Sequence, residues 1–261
     1  MRLHRQAFLL LMAGLVALMW IALWLWQLSP YGRYLDHGGW TQLGLAAALC
    51  RVVPNGEIVL PALLYVLGWV LMSAAMMLPT AMPLLLIFRE VTIARSNRRQ
   101  LLLLLVVGYL AIWALFGLAA HSLDQLLLAL VNRVDWLFFN GWVLGAVVFA
   151  FAGLYQFSTL KYRCLDRCRT PLSFVVERWR GGDDRKQAFT IGLAHGLFCL
   201  GCCWALMLLM FVVGTTNLGV MMALGAVMAA EKNWPAARIA GKPLGFALLG
   251  WSLLIILQHS A

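Results

Sequence analysis

Apolar positions in this chain come in long unbroken runs, not in the alternation of half-buried strands or the narrow stripes of soluble helices. Seven runs can be drawn, at roughly 7–28, 58–88, 101–121, 136–157, 188–213, 217–230 and 243–258. A helix needs about 20 apolar residues to cross the hydrocarbon core of a bilayer. The pattern therefore predicts an all-α, polytopic transmembrane helical bundle of about seven spans, a single membrane-embedded domain over 1–261. The sixth run, NLGVMMALGAVMAA, is short of a full crossing and is expected to be tilted or re-entrant. The first is too long for a signal-peptide core and lacks a small-residue cleavage site, so it reads as a retained span.

The polar positions between the runs set the orientation. Of the 20 Lys and Arg residues, only Arg33, Arg51 and Arg133 fall on outer segments when the N-terminus is placed inside; the other 17 fall on inner ones. This positive-inside bias predicts a cytoplasmic N-terminus and, with an odd number of spans, a C-terminus with His259 outside. Residues 158–187 then form a cytoplasmic loop and 29–57, with Asp36 and His37, an outer loop. Residues 122–135, with Leu and Val on one side and Asp124, Asn132 and Asp135 elsewhere, are expected to form a helix lying in the outer interface. A bacterial inner membrane is the expected location.

Composition agrees. The chain is 63% hydrophobic and 11% charged, against about 25% charged for a soluble domain. The net charge of +10 sits in the short connections, so it argues for topology and a lipid bilayer partner, not for nucleic acid. Six cysteines do not form a disulfide framework here, because four lie in RCLDRC and LGCC, on the cytoplasmic side or within a span, where structural disulfides are uncommon.

Chemistry concentrates in the fifth run, HGLFCLGCCWALMLLM. At 100° per residue, His195, Cys199, Cys202, Cys203, Leu206, Met207 and Met210 share one helix face. Counted from residue 188 at 1.5 Å per residue, His195 lies about 10 Å and Cys199 about 16 Å deep. Imidazole, thiol and thioether ligands select copper(I) or zinc over hard cations. The competing reading is packing, since free cysteine behaves as a small buried hydrophobe and small residues favour close helix contact in membranes.

Three further groups join this stripe. In MSAAMMLPTAMP, Met72, Met76 and Met77 lie near mid-bilayer, at the depth of the cysteines, with Pro79 and Pro83 interrupting the helix; co-ligation and gap-filling are both compatible with this. In LKYRCLDRCRTP, Cys164 and Cys168 share one face if the stretch is helical up to Pro171, ringed by Lys161, Arg163, Arg167 and Arg169, which favour the thiolate that metal binding needs. Glu231 and Lys232 close the sixth run, either as an interfacial charge pair or with Glu231 capping the inner mouth of a metal path. His121, Asp36, His37 and His259 are weaker outer-side candidates.

These stretches, AGLYQFSTLKYRCLDRCRTPLSF, GLAHGLFCLGCCWALMLLMFVVG, AAEK and SAAMMLPTAMP, resemble the bacterial family of predicted metal-binding integral membrane proteins. The resemblance begins between about residues 57 and 65, runs to 235 and leaves the first span and outer loop uncovered. It implies metal binding, carried on Met76, Met77 and Pro79, on Cys164 and Cys168, on His195, Cys199, Cys202 and Cys203, and on Glu231 and Lys232. It implies no substrate.

Three functions follow. The first is soft-metal handling, foremost copper(I) with zinc as the second candidate: binding, transfer or delivery in exchange with a metallochaperone or apo-metalloprotein. No phosphate-binding loop couples it to ATP, and an oligomer is compatible with it. The second is a membrane thiol-disulfide oxidoreductase using Cys164/Cys168 or Cys199/Cys202 with a quinone; Cys202 and Cys203 are expected to point apart, and only Cys50 lies on the outer side. The third is a structural or assembly subunit of a membrane complex, its sulfur residues serving as packing. Catalysis has little support: Asp183 and Asp184 in RGGDDRK read as a solvated turn, and neither a Ser-His-Asp set nor a zinc-protease motif is present.

Overall fold

A computed structural model describes residues 2–29, 59–131, 133–134, 136, 140–214, 217–234 and 241–260, and every regular element among them is helical. In chain order these are α1 (Arg2–Leu28), α2 (Val59–Met77), a 3₁₀ turn (Pro79–Ala81), α3 (Met82–Val91), α4 (Arg98–Val131), α5 (Trp142–Tyr155), α6 (Thr159–Arg169), α7 (Pro171–Arg178), α8 (Asp184–Val213), α9 (Leu218–Asn233) and α10 (Gly241–Ser260).

Boundaries follow local chemistry. The Asp183 carboxylate caps α8 by accepting from the Arg185 and Lys186 amides at 3.0 and 3.3 Å. At its far end α8 stops at Gly214, whose φ of +98° suits a residue without Cβ. Ser158 caps α6 through the Lys161 amide at 3.1 Å, and Asn217 caps α9 through the Val220 amide at 3.1 Å. Pro79 and Pro83 bend the second apolar run by 46° between α2 and α3.

α8 forms the spine. It packs against α4 along most of its length and also meets α5, α6, α7 and α9; α2 lies against α4, α1 and α9, and α10 against α5. Glycines let α4 and α8 approach closely. A Cβ at Gly192 would collide with the Leu105 carbonyl, one at Gly196 would press on Ile112 and the Tyr109 carbonyl, and one at Gly108 would strike the Phe189 carbonyl. The stretch GLAHG is thus a small-xxx-small contact holding His195 between its two glycines.

Four helices are long and apolar enough to cross a membrane, at Gln6–Leu28, Arg98–Leu127, Asp184–Val213 and Gly241–His259. Two bent pairs, Leu63–Met77 with Pro79–Val91 and Trp142–Tyr155 with Thr159–Arg169, raise this to six if each is one span. The sixth expected run forms the 16-residue α9, about 24 Å long at 1.5 Å per residue and shorter than a perpendicular crossing.

Three expectations need correction or limits. Residues 122–131 are no separate interfacial helix; they continue α4, and Asp124 is buried. The expected loop over 158–187 is largely helical, holding α6 and α7. Beyond Ser29, the outer loop over 29–57 with Asp36, His37 and Cys50 lies outside the described residues.

Candidate metal centre

The α8 stripe faces the protein interior. His195, Cys199, Cys202, Cys203, Leu206, Met207 and Met210 are all buried, and the three cysteines belong to one apolar cluster with Met72, Met76 and Met77 of α2. The five described cysteines are free thiols.

Cys199 is the hub. Its sulfur lies 2.9 Å from the Tyr109 hydroxyl of α4 and accepts from the Lys232 ammonium of α9 at 2.9 Å. The same ammonium donates to Thr80 Oγ1 at 3.1 Å and stands 3.8 Å from Met77 Sδ. Thr80 and Tyr109 are held by one acceptor, the Met77 carbonyl, at 2.8 and 3.4 Å. That carbonyl is free of its helical donor because the 3₁₀ turn over Pro79–Ala81 sends the Ala81 amide to the Leu78 carbonyl at 3.1 Å.

The other thiols crowd the same place. Cys202 donates to the Cys199 carbonyl at 3.1 Å, and its sulfur is 3.2 Å from that of Cys203. Cys202 and Cys203 therefore do not point apart, as helix geometry alone suggested. Cys168 of α6 packs against the buried cluster that holds Cys202, so the C-x₃-C segment reaches the stripe. Cys164 packs its sulfur over the bare Cα of Gly201, where the Tyr155 hydroxyl donates to the Gly201 carbonyl. Two members of the cationic ring expected around this pair turn elsewhere: Arg167 reaches Glu177 at 3.3 Å and Arg169 the Trp234 carbonyl at 2.8 Å.

His195 is held by rings. It lies 5.8 Å from the Tyr109 ring and 5.6 Å, edge-on, from Phe174, and its Nδ1 is buried without a hydrogen-bond partner among the described residues. Met76 packs beside Gly225 of α9, and Met207 is fully buried in the cluster. Met72 is buried in the same cluster. At the opposite end, His121 stacks on Tyr65 at 4.6 Å and His259 on Trp142 at 5.0 Å, both far along the chain from the thiols.

Glu231 and Lys232 are not a pair with each other. Glu231 accepts from Lys161 at 2.7 Å, and Lys161 also donates to Gln156. Lys232 goes to the thiol. Both acid and base are buried, so an exposed interfacial pair is overturned. Thr80, Tyr109 and Gln156 are residues that the sequence did not single out, and Lys161 was read only as one of the basic residues around Cys164 and Cys168. Tyr109 is the one polar side chain in LLLLLVVGYLAIW, which is a usable signal; the others carry none.

Among the described residues, no three His, Cys, Asp or Glu side chains already converge as a metal-ligand set. The donor chemistry nevertheless fits a soft metal ion. Three thiols and a thioether gather with no carboxylate on the Cys199 sulfur, and a cationic ammonium already sits among them.

A family described as "Copper chaperone" (PpoB2) has a model that matches residues 66–255. That range contains every thiol and methionine of the cluster, together with Thr80, Tyr109 and Lys232. No curated protein and no solved structure matches.

Proposed function

The chain belongs to the copper chaperone family, and from that premise we propose that it is an integral membrane protein that binds copper(I) on its buried thiols and passes it to an apo-metalloprotein or metallochaperone. The supporting observation is that Cys199, Cys202 and Cys203 of α8 lie buried in one cluster with Met77 of α2, with Cys168 of α6 packed against it. Cuprous ion prefers soft sulfur donors, and a handover requires ligands that can be exchanged one at a time. Cys199, Cys202 and Cys203 hold the ion in this reading. Met77, Met76, Met72, Met207 and His195 complete the soft environment around them, and Cys168 with Cys164 forms the approach from α6. Zinc uses the same donors, but the thioethers favour copper.

The location proposed is a bacterial inner membrane, with the N-terminus cytoplasmic. The experiment is metal analysis of protein purified from copper-supplemented cells. We expect about one copper ion per chain, lost when Cys199, Cys202 and Cys203 are all changed to Ser. Undiminished copper in the folded triple variant would reject the site and leave the sulfur residues as packing.

A redox reading has less support. Consecutive Cα atoms are about 3.8 Å apart across a trans peptide, below the roughly 4.4–6.8 Å that disulfides span. Cys202 and Cys203, whose sulfurs are 3.2 Å apart, are thus poorly placed to cycle, and Cys164, Cys168 and Cys199 stand as free thiols.

A further inference from the structure

Among the described residues, Lys232 is the one buried cation that the proposed function leaves without a task. A lysine inside an apolar bundle is costly and ordinarily finds a carboxylate. A carboxylate stands next to it in sequence, Glu231, but that group is committed to Lys161 at 2.7 Å. Among the described residues, Lys232 makes no salt bridge. Its ammonium points instead at the Cys199 sulfur, the Thr80 hydroxyl and the Met77 thioether, at 2.9, 3.1 and 3.8 Å. These are donors that a soft cation would use, and the ammonium stands among them as a tethered monovalent cation.

We propose that Lys232 competes with copper(I) for the Cys199 sulfur: loading swings the ammonium out, and its return expels the ion to the acceptor. This rests on the reading of Cys199 as a copper ligand. Charge supports the exchange at Cys199, because one unit of positive charge replaces another beside its sulfur, while Cys202 and Cys203 each give up a thiol proton as they join the ion. Position supports it as well. Lys232 is in the last turn of α9, where four methylenes let its head reach past the helix end and where the negative end of the helix dipole favours a cation. The Glu231–Lys161 pair holds that end of α9 in place, so the Lys232 side chain can move without the helix. Release, not only affinity, is then built into the site.

The test is competition for copper(I) against bicinchoninate in detergent, with wild type, Lys232→Leu, Lys232→Arg and Cys199→Ser. Leucine supplies neither charge nor ligand. Removing a cation a few ångströms from the ion should tighten binding by at least about tenfold and slow release by a similar factor, while arginine stays within about threefold of wild type. Looser or unchanged binding in folded Lys232→Leu overturns the proposal, because a lysine that merely supports the thiolate predicts that direction. A second measurement needs no variant. Peptide-resolved acetylation of Lys232 in the wild-type protein should rise on titration with copper(I), and labelling that does not respond overturns displacement. Cys199→Ser separates this failure from the larger one. If it loses copper while Lys232 labelling stays silent, only displacement falls; if it keeps copper, the reading of the site falls first.

Discussion

Lys161 donates to Glu231 at 2.7 Å with the two side chains 1% and 4% exposed, and this buried contact joins α6 to α9. It fixes two helices that carry opposite sides of the thiol cluster, Cys168 on one and Lys232 on the other.

Removing one partner should therefore be far worse than removing both. Lys161→Met or Glu231→Leu alone leaves a buried charge without its partner, a loss of about 3–5 kcal/mol. The double replacement by apolar residues should recover most of that. Thermal unfolding in detergent reads the stability, and maleimide labelling of Cys164 and Cys168 should accelerate in each single variant as α6 loosens.

The α4–α8 contact makes a second prediction. Gly192→Ala forces a methyl group against the Leu105 carbonyl, backbone that cannot step aside, so a destabilisation of about 3 kcal/mol or more is expected. Gly181→Ala meets nothing within 4 Å but takes a φ of +84°. Only the left-handed backbone penalises it, at about 1 kcal/mol. Thermal melts of the two variants should differ accordingly.

His195 separates packing from ligation. Its ring sits between Tyr109 and Phe174, so His195→Phe keeps the aromatic contacts and should leave the melting temperature nearly unchanged. If the imidazole is part of the copper environment, affinity should fall by at least about tenfold. Unchanged copper binding would make it a packing histidine.

Oxidant challenge tests the redox alternative directly. After diamide treatment, thiol trapping and mass spectrometry should find Cys164 with Cys168, and Cys199 with Cys202, still as the free thiols they are in the structure; a bond within either pair would favour the oxidoreductase. Cys164 and Cys168, only partly buried, should be trapped faster than the three buried thiols of α8.

Local periodicity made much of this legible. One helix face of α8 was readable from i, i+4, i+7 spacing because those residues belong to one element. The bend at Pro79 was readable because proline acts on its own turn. The extension of α4 was misread since Asp124 broke the apolar run, yet no proline or glycine follows Gly117 before Asn132 to stop a helix. What stayed hidden were contacts between elements. Lys232 meets Cys199 across 33 residues and Thr80 across 152, and nothing in either neighbourhood marks the other. The same holds for Lys161, which read as one basic residue among many in a loop until α9 supplied its acid.

The interruption between α2 and α3 has a consequence beyond shape. An unbroken helix would have tied the Met77 carbonyl into its own ladder and turned Thr80 into one more lining residue. Broken at Pro79, the rod surrenders a small ring of oxygen and sulfur to the middle of a greasy assembly, and a charged head can rest there. A kink that reads as a defect in an apolar rod is what gives the Lys232 ammonium its seat.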